Sequence, residues 1–119
     1  MGWKPDHGLP ICPQICEQMC VRVANGNLQP HAKLVSVREL AVMLGVNPNT
    51  VQRSYEQLEQ QGVLYSVPGT GWYVSEDAAV AKNAVENLRR ERPASFFAEM
   101  ENLGLDLEAA KQYVKEWEA

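Results

Sequence analysis

Ser36-Val37-Arg38-Glu39-Leu40-Ala41-Val42-Met43-Leu44-Gly45-Val46-Asn47-Pro48-Asn49-Thr50-Val51-Gln52-Arg53-Ser54-Tyr55 is the stretch from which the fold is read. Ser36 and Glu39 stand three apart, as in a capping box, where hydroxyl and carboxylate satisfy free backbone donors at a helix start. Val37, Leu40, Ala41 and Leu44 follow at i, i+3, i+4 and i+7, which is one apolar stripe. Gly45 ends that helix, and Asn47-Pro48 opens another: Asn as N-cap, Pro where its missing N–H costs nothing. Val51, Tyr55 and Leu58 give the second helix a buried face, and Gly62 closes it. Ala41 is small where two helices cross, Gly45 can turn left-handed and Val51 packs one helix on the other. That spacing points to a helix-turn-helix.

Outward from this stretch, Val63 to Val67 reads as a strand, Pro68-Gly69-Thr70-Gly71 as a turn and Trp72-Tyr73-Val74 as the returning strand. Upstream, a frayed segment to about Gly8 precedes a helix from about Pro10 to Asn25, with Ile15, Met19 and Val23 facing a core. Asn27 to Val35 reads as a connector with at most a two-residue strand near Lys33-Leu34. Downstream, Ala81, Ala84, Val85 and Leu88 share a helical face, which Pro93 is expected to break or kink. Phe96, Phe97, Met100 and Leu103 continue the apolar surface. A last helix starts at Asp106 and carries Leu107, Ala110, Val114 and Trp117 on one side. The expected fold is mainly α with a small β-hairpin. It comprises a winged helix-turn-helix domain over residues 9–75 and a helical dimerisation tail over 76–119.

Composition is consistent with that plan. Of 119 residues, 45% are hydrophobic and 22% charged, an ordinary globular balance that fills one core. No apolar run spans a bilayer and no signal-peptide core appears near the start, so a cytoplasmic protein without membrane partner is expected. The net charge of −4 argues at first against nucleic acid, but residues 1–75 hold five basic and five acidic side chains and residues 76–119 hold six and ten. The excess acid lies in the tail, and DNA binding depends on the local field at the contact face. No phosphate-binding loop, nucleophile elbow, paired catalytic carboxylates or dinucleotide fingerprint appears, so neither an enzyme nor a cofactor is expected.

In a helix-turn-helix the second helix lies in the major groove with its N-terminal residues at base edges. Asn47 to Tyr55 contains no acid. Asn49, Thr50, Gln52 and Arg53 point away from the buried face and are types suited to reading bases: Arg for guanine, Asn or Gln for adenine, the Thr methyl for thymine. Arg38, in the first turn after Ser36, is placed to anchor a phosphate. Gly69, Thr70 and Gly71 at the wing tip bring backbone N–H groups close to the duplex. Double-stranded DNA is therefore the expected partner, contacted by Ser36, Arg38, Asn47, Asn49, Thr50, Gln52, Arg53 and Gly69 to Gly71. The stretch Ala78–Ala84 permits close helix approach. Ala81, Val85, Leu88, Phe96, Phe97, Met100, Val114 and Trp117 are read as an isologous seam between two copies. Packing of the tail on its own domain is the competing arrangement.

These motifs resemble the GntR family of bacterial regulators, in particular its short YtrA-like branch. The resemblance covers Leu9-Pro10-Ile11, Asn25 to Pro30, Ser36 to Ala41, Val46 to Val51, Gly69 to Val74 and the tail from Phe96 to Trp117. It implies a homodimer on a near-palindromic operator, usually repressing, with a transporter operon of the ABC type as target. His31 stands where the family commonly has Gly, and Val35 where it commonly has Pro. Ser66, Val67 and Pro68 are uncharged where the wing usually carries Arg or Lys, which weakens the expected minor-groove anchor.

Cys12, Cys16 and Cys20 share one helix flank. Either they pack as small half-buried residues or they form a thiol or metal sensor, for which His7 and His31 lie in the wrong place. Arg89-Arg90-Glu91-Arg92 reads as a solvated face rather than a DNA contact. No effector is assigned by any pattern, and a 44-residue tail is too short for a separate ligand-binding domain of ordinary size. A winged-helix module that binds protein instead of DNA is the alternative, supported by the acidic balance and the uncharged wing.

Overall fold

The computed structural model describes residues 2–118. The helices are α1 (Ile11–Ala24), α2 (Val37–Leu44), α3 (Pro48–Gln61), α4 (Ala79–Asn102) and α5 (Leu107–Glu116), with strands β1 (Leu64–Val67) and β2 (Gly71–Val74) after α3. The chain divides into two units, one up to Val85 and one from Glu86 onward.

In the first unit, α2 begins as its sequence dictates. The Ser36 hydroxyl accepts the Glu39 N–H at 3.1 Å, although among the described residues the Glu39 carboxylate does not return the bond, so half of the capping box forms. Gly45 ends α2 at φ 66°, a left-handed conformation that costs a side-chain-bearing residue energy. Asn47 Oδ1 then accepts the Asn49 N–H at 2.8 Å and starts α3. Leu40, Ala41, Leu44, Val51, Tyr55 and Leu58 meet Ile15, Met19 and Val23 of α1 in one core. Ser54 is buried in that core. Its hydroxyl donates to the Thr50 carbonyl, while its own carbonyl accepts the Cys16 thiol at 3.5 Å.

β1 and β2 pair antiparallel from Leu64 opposite Val74 to Val67 opposite Gly71. The connector pairs with the outer side of β2: the N–H groups of His31 and Leu34 donate to the carbonyls of Val74 and Trp72, and the Val74 N–H donates to Ala32. Lys33 lies opposite Tyr73 in an antiparallel bridge. The short strand expected near Lys33-Leu34 is thus a single bridge, held by flanking bonds.

Three expectations are corrected. The segment before α1 is held rather than frayed: Gln14 Oε1 accepts the Asp6 N–H at 2.7 Å, Gln14 Nε2 donates to the carbonyl of Asp6, and Trp3 packs against the core. Pro93 does not break its helix, for α4 runs through it. Pro93 and Arg89 are both exposed, so the Arg89 carbonyl that the missing N–H leaves without a donor is open to water. Finally, Ala81 and Val85 are 1% and 5% exposed within the first unit's own core, with Ala78 and Ala84 packed beside them. The opening of α4 therefore packs into the core of the first unit, and these two residues are not available to a seam between copies.

In the second unit, α4 continues past Glu86, which pairs with Arg89 and Arg90 at 3.7 and 3.3 Å. Gly104 turns the chain with Leu105 N–H donating to the Met100 carbonyl at 3.1 Å. Asp106 caps α5 by accepting the Ala109 N–H.

Candidate nucleic-acid interface

The outward edge of α3 collects the expected base-reading residues. Asn49, Gln52 and Arg53 are exposed, as is Arg38 in the first turn of α2, whereas Thr50 is half-buried. Among the described residues the guanidinium groups of Arg53 and Arg38 make no hydrogen bond or ion pair, so their donors face water. Gln52 Nε2 donates to Glu56 Oε1 at 2.9 Å. That bond leaves Gln52 one carboxamide N–H and its oxygen for a base edge. Ser36 and Asn47 spend a side-chain oxygen on the caps, so what each can still offer a phosphate is a donor: the Ser36 O–H or the Asn47 amide.

Tyr55 and Glu59 hold the connector and the wing against α3. The Tyr55 hydroxyl donates to the Val35 carbonyl at 2.9 Å, and its ring meets Trp72 edge-to-face at 5.6 Å. Glu59 Oε2 accepts both the backbone N–H and the hydroxyl of Ser66, at 3.0 and 2.7 Å. Ser66 therefore ties the first wing strand to the end of the helix that bears Arg53. Gly69 and Thr70 are exposed at the tip and Gly71 is half-buried.

Sequence reasoning passed over Lys33. Its bridge to Tyr73 lays the side chain across Gly71, whose missing Cβ would stand 3.1 Å from Lys33 Cε. The available signal was an exposed Lys beside a buried Leu34, the alternation of a strand edge.

The cysteines of α1 lie against α3. Cys12 and Cys16 donate to Gln57 Oε1 at 3.5 and 3.6 Å. Burial, reinforced by the neighbouring Cys12, pushes the Cys16 thiol up to about 12. Burial and Glu17 raise Cys20 as well. Both thiols are held protonated, the reverse of the lowered pKa that a reactive cysteine requires. Among the described residues no cluster of His, Cys, Asp or Glu could hold a metal ion, and no helix is long and apolar enough to cross a membrane.

In the tail, Phe96, Met100, Tyr113, Val114 and Trp117 line an apolar hollow of about 460 Å³. Trp117 is 74% exposed and Leu103 77%, while Leu88 and Phe97 are half-buried. Tyr113 is an addition to the residues expected there.

Comparison with known proteins agrees with this geometry. Residues 13–74 match the bacterial regulatory proteins of the gntR family. The chain is 37% identical over 106 residues to the uncharacterized HTH-type transcriptional regulator YhcF of Bacillus subtilis, covering 89% of this chain and 88% of that one. It is 34% identical over 113 residues to the HTH-type transcriptional repressor YtrA of the same organism, covering 94% and 87%. A GntR family transcriptional regulator from Listeria monocytogenes superimposes with a TM-score of 0.80 at 36% identity, over 96% of this chain and all of that one. The DNA-binding domain of AraR in complex with its operator ORE1 matches 56% of this chain and 82% of its own, with a TM-score of 0.54 and 33% identity. A helix-turn-helix with an unpaired cationic edge, a wing bonded to it and relatives along nearly the whole chain lead to one conclusion: this is a DNA-binding transcription regulator, and it belongs to the GntR family.

Proposed function

We propose that the protein acts in the cytoplasm as a repressor, binding a near-palindromic operator as a homodimer, with Arg53, Asn49 and Gln52 reading bases from α3. Arg38 and the donors of Ser36 and Asn47 hold the backbone, and Thr50 presents its methyl beside them. Gly69 to Gly71 bring the wing tip to the duplex. The observation that carries this is the unpaired Arg53 guanidinium on an acid-free, N-terminal stretch of α3, the part of such a helix that enters the major groove. The repressor role and the operator draw support from the names of YtrA and the AraR complex. The transporter operon implied by the YtrA-like resemblance is the target to test first.

The homodimer rests on the tail. Phe96, Met100, Val114 and Trp117, joined by Tyr113, leave an apolar hollow open in one short unit, and such a patch marks an interaction site. Two copies pairing there would give the two-fold symmetry that a palindrome mirrors.

Selection of bound duplexes from a random pool, followed by a salt titration, tests the whole proposal. The expected result is an enriched inverted repeat whose affinity falls steeply with ionic strength, and a dimer in sedimentation at micromolar concentration. Absence of enrichment with salt-insensitive binding would reassign the fold to protein recognition. A monomer in sedimentation would remove the seam.

A further inference from the structure

Between the wing and the start of α2 lies a hollow of about 470 Å³ whose lining includes Lys33, Ser36, Thr70 and Gly71. No acidic residue lines it, and Lys33 is its single cation. The turn itself contributes no charge, since Ser66 to Gly71 holds none. Lys33 is not a loose surface lysine. The bonds of Leu34 and Ala32 to β2 fix its backbone, and Gly71, having no side chain, leaves room for its stem to cross the wing. Its ammonium forms no ion pair among the described residues.

From these facts we infer that the hollow receives a backbone phosphate of the bound duplex, with Lys33 as its cation. An ammonium is a compact point charge that neutralises a phosphate without choosing a base. Lys33 therefore supplies the wing with the charge its own turn lacks, delivered from the connector. This inference rests on the DNA-binding assignment and adds a contact to it.

The test uses the full chain with the selected duplex and a scrambled duplex of equal length. Lys33→Met keeps the apolar stem and removes the charge. Each phosphate contact contributes about 0.9 to the slope of log affinity against log salt. Losing one should shrink the ratio of affinities at ~50 and ~200 mM salt roughly 3.5-fold per bound copy, equally for both duplexes. Lys33→Arg should retain the wild-type slope. Should Lys33→Met fail to fold, Lys33→Gln against Lys33→Arg carries the same comparison. An unchanged slope overturns the inference, and so does a loss confined to the selected duplex, which would make Lys33 a base reader. Inorganic phosphate that binds through Lys33 while the duplex slope stays unaltered would overturn it in favour of a small anion. Failure of the DNA-binding assignment itself is visible separately, as wild-type protein without salt-dependent binding.

Discussion

Arg53 carries the strongest expectation for a single side chain. Among the described residues its guanidinium has no partner and the side chain is exposed, so truncation breaks no bond of the fold and a loss of affinity reports on the DNA contact. Arg53→Ala should weaken binding to the selected operator by ~1–3 kcal/mol and relax preference at one base position. Titration against operator and single-base variants checks this, and equal binding of variant and wild type would refute it. His31 makes a different point. It is the one described residue other than glycine with positive φ, at 65°, and its ring accepts or donates at 2.9 Å to the Tyr65 hydroxyl. Removing the ring loses that bond whichever residue replaces it, but only glycine also relieves the backbone. His31→Gly should therefore unfold at higher denaturant than His31→Ala by about 1 kcal/mol, reversing the order usual for these residues. The family resemblance places glycine at this position, and the positive φ is the physical reason.

At the scale of elements, α4 passes through Pro93 with one carbonyl, that of Arg89, deprived of its donor. Pro93→Ala restores the N–H and removes the ring, so the helix should gain on the order of 1–3 kcal/mol. Amide exchange over residues 88–97 should slow accordingly, and unchanged exchange would show that the proline is accommodated without cost. The elements were legible where a cap or a glycine marks them: Ser36, Gly45, Asn47, Gly62 and Asp106 stand at the helix ends they predict. Pro93 does not end α4 because both it and Arg89 are exposed, so water can take the place of the missing donor at the Arg89 carbonyl. The exposure of Asn49, Gln52 and Arg53 on α3 followed from its periodicity. Lys33 did not, because its place over the wing depends on a bridge between residues forty apart in sequence. Nor did the core position of Ala81 and Val85, since an alanine-rich helical face looks the same whether it covers its own domain or another copy.

At the scale of the whole molecule, the half-buried thiol of Cys16 links stability to pH. In the unfolded chain it ionises near its ordinary value, whereas the folded protein keeps it protonated up to about 12. The folded state thus binds more protons in alkaline solution. The stabilisation is fully present below the ordinary thiol range and is lost as pH rises from there toward the folded value. Denaturant titrations between about pH 8.5 and 10.5 should show falling stability, with a shallower fall in Cys16→Ala. Equal slopes would reject the link. Tyr55, pushed up by burial, adds the same sign at still higher pH.

The edge-to-face contact of Trp72 with Tyr55 has an optical consequence. Trp72 is half-buried and borders the hollow that Lys33 crosses, so its indole sits between the core and whatever occupies the wing. Trp3 and Trp117, the other two tryptophans, lie at the N-terminal segment and in the tail. With those two changed to phenylalanine, indole emission would come from the wing alone. The regulator thus contains an intrinsic fluorophore at the wing, able to follow any occupancy of that hollow during a binding reaction without an attached dye.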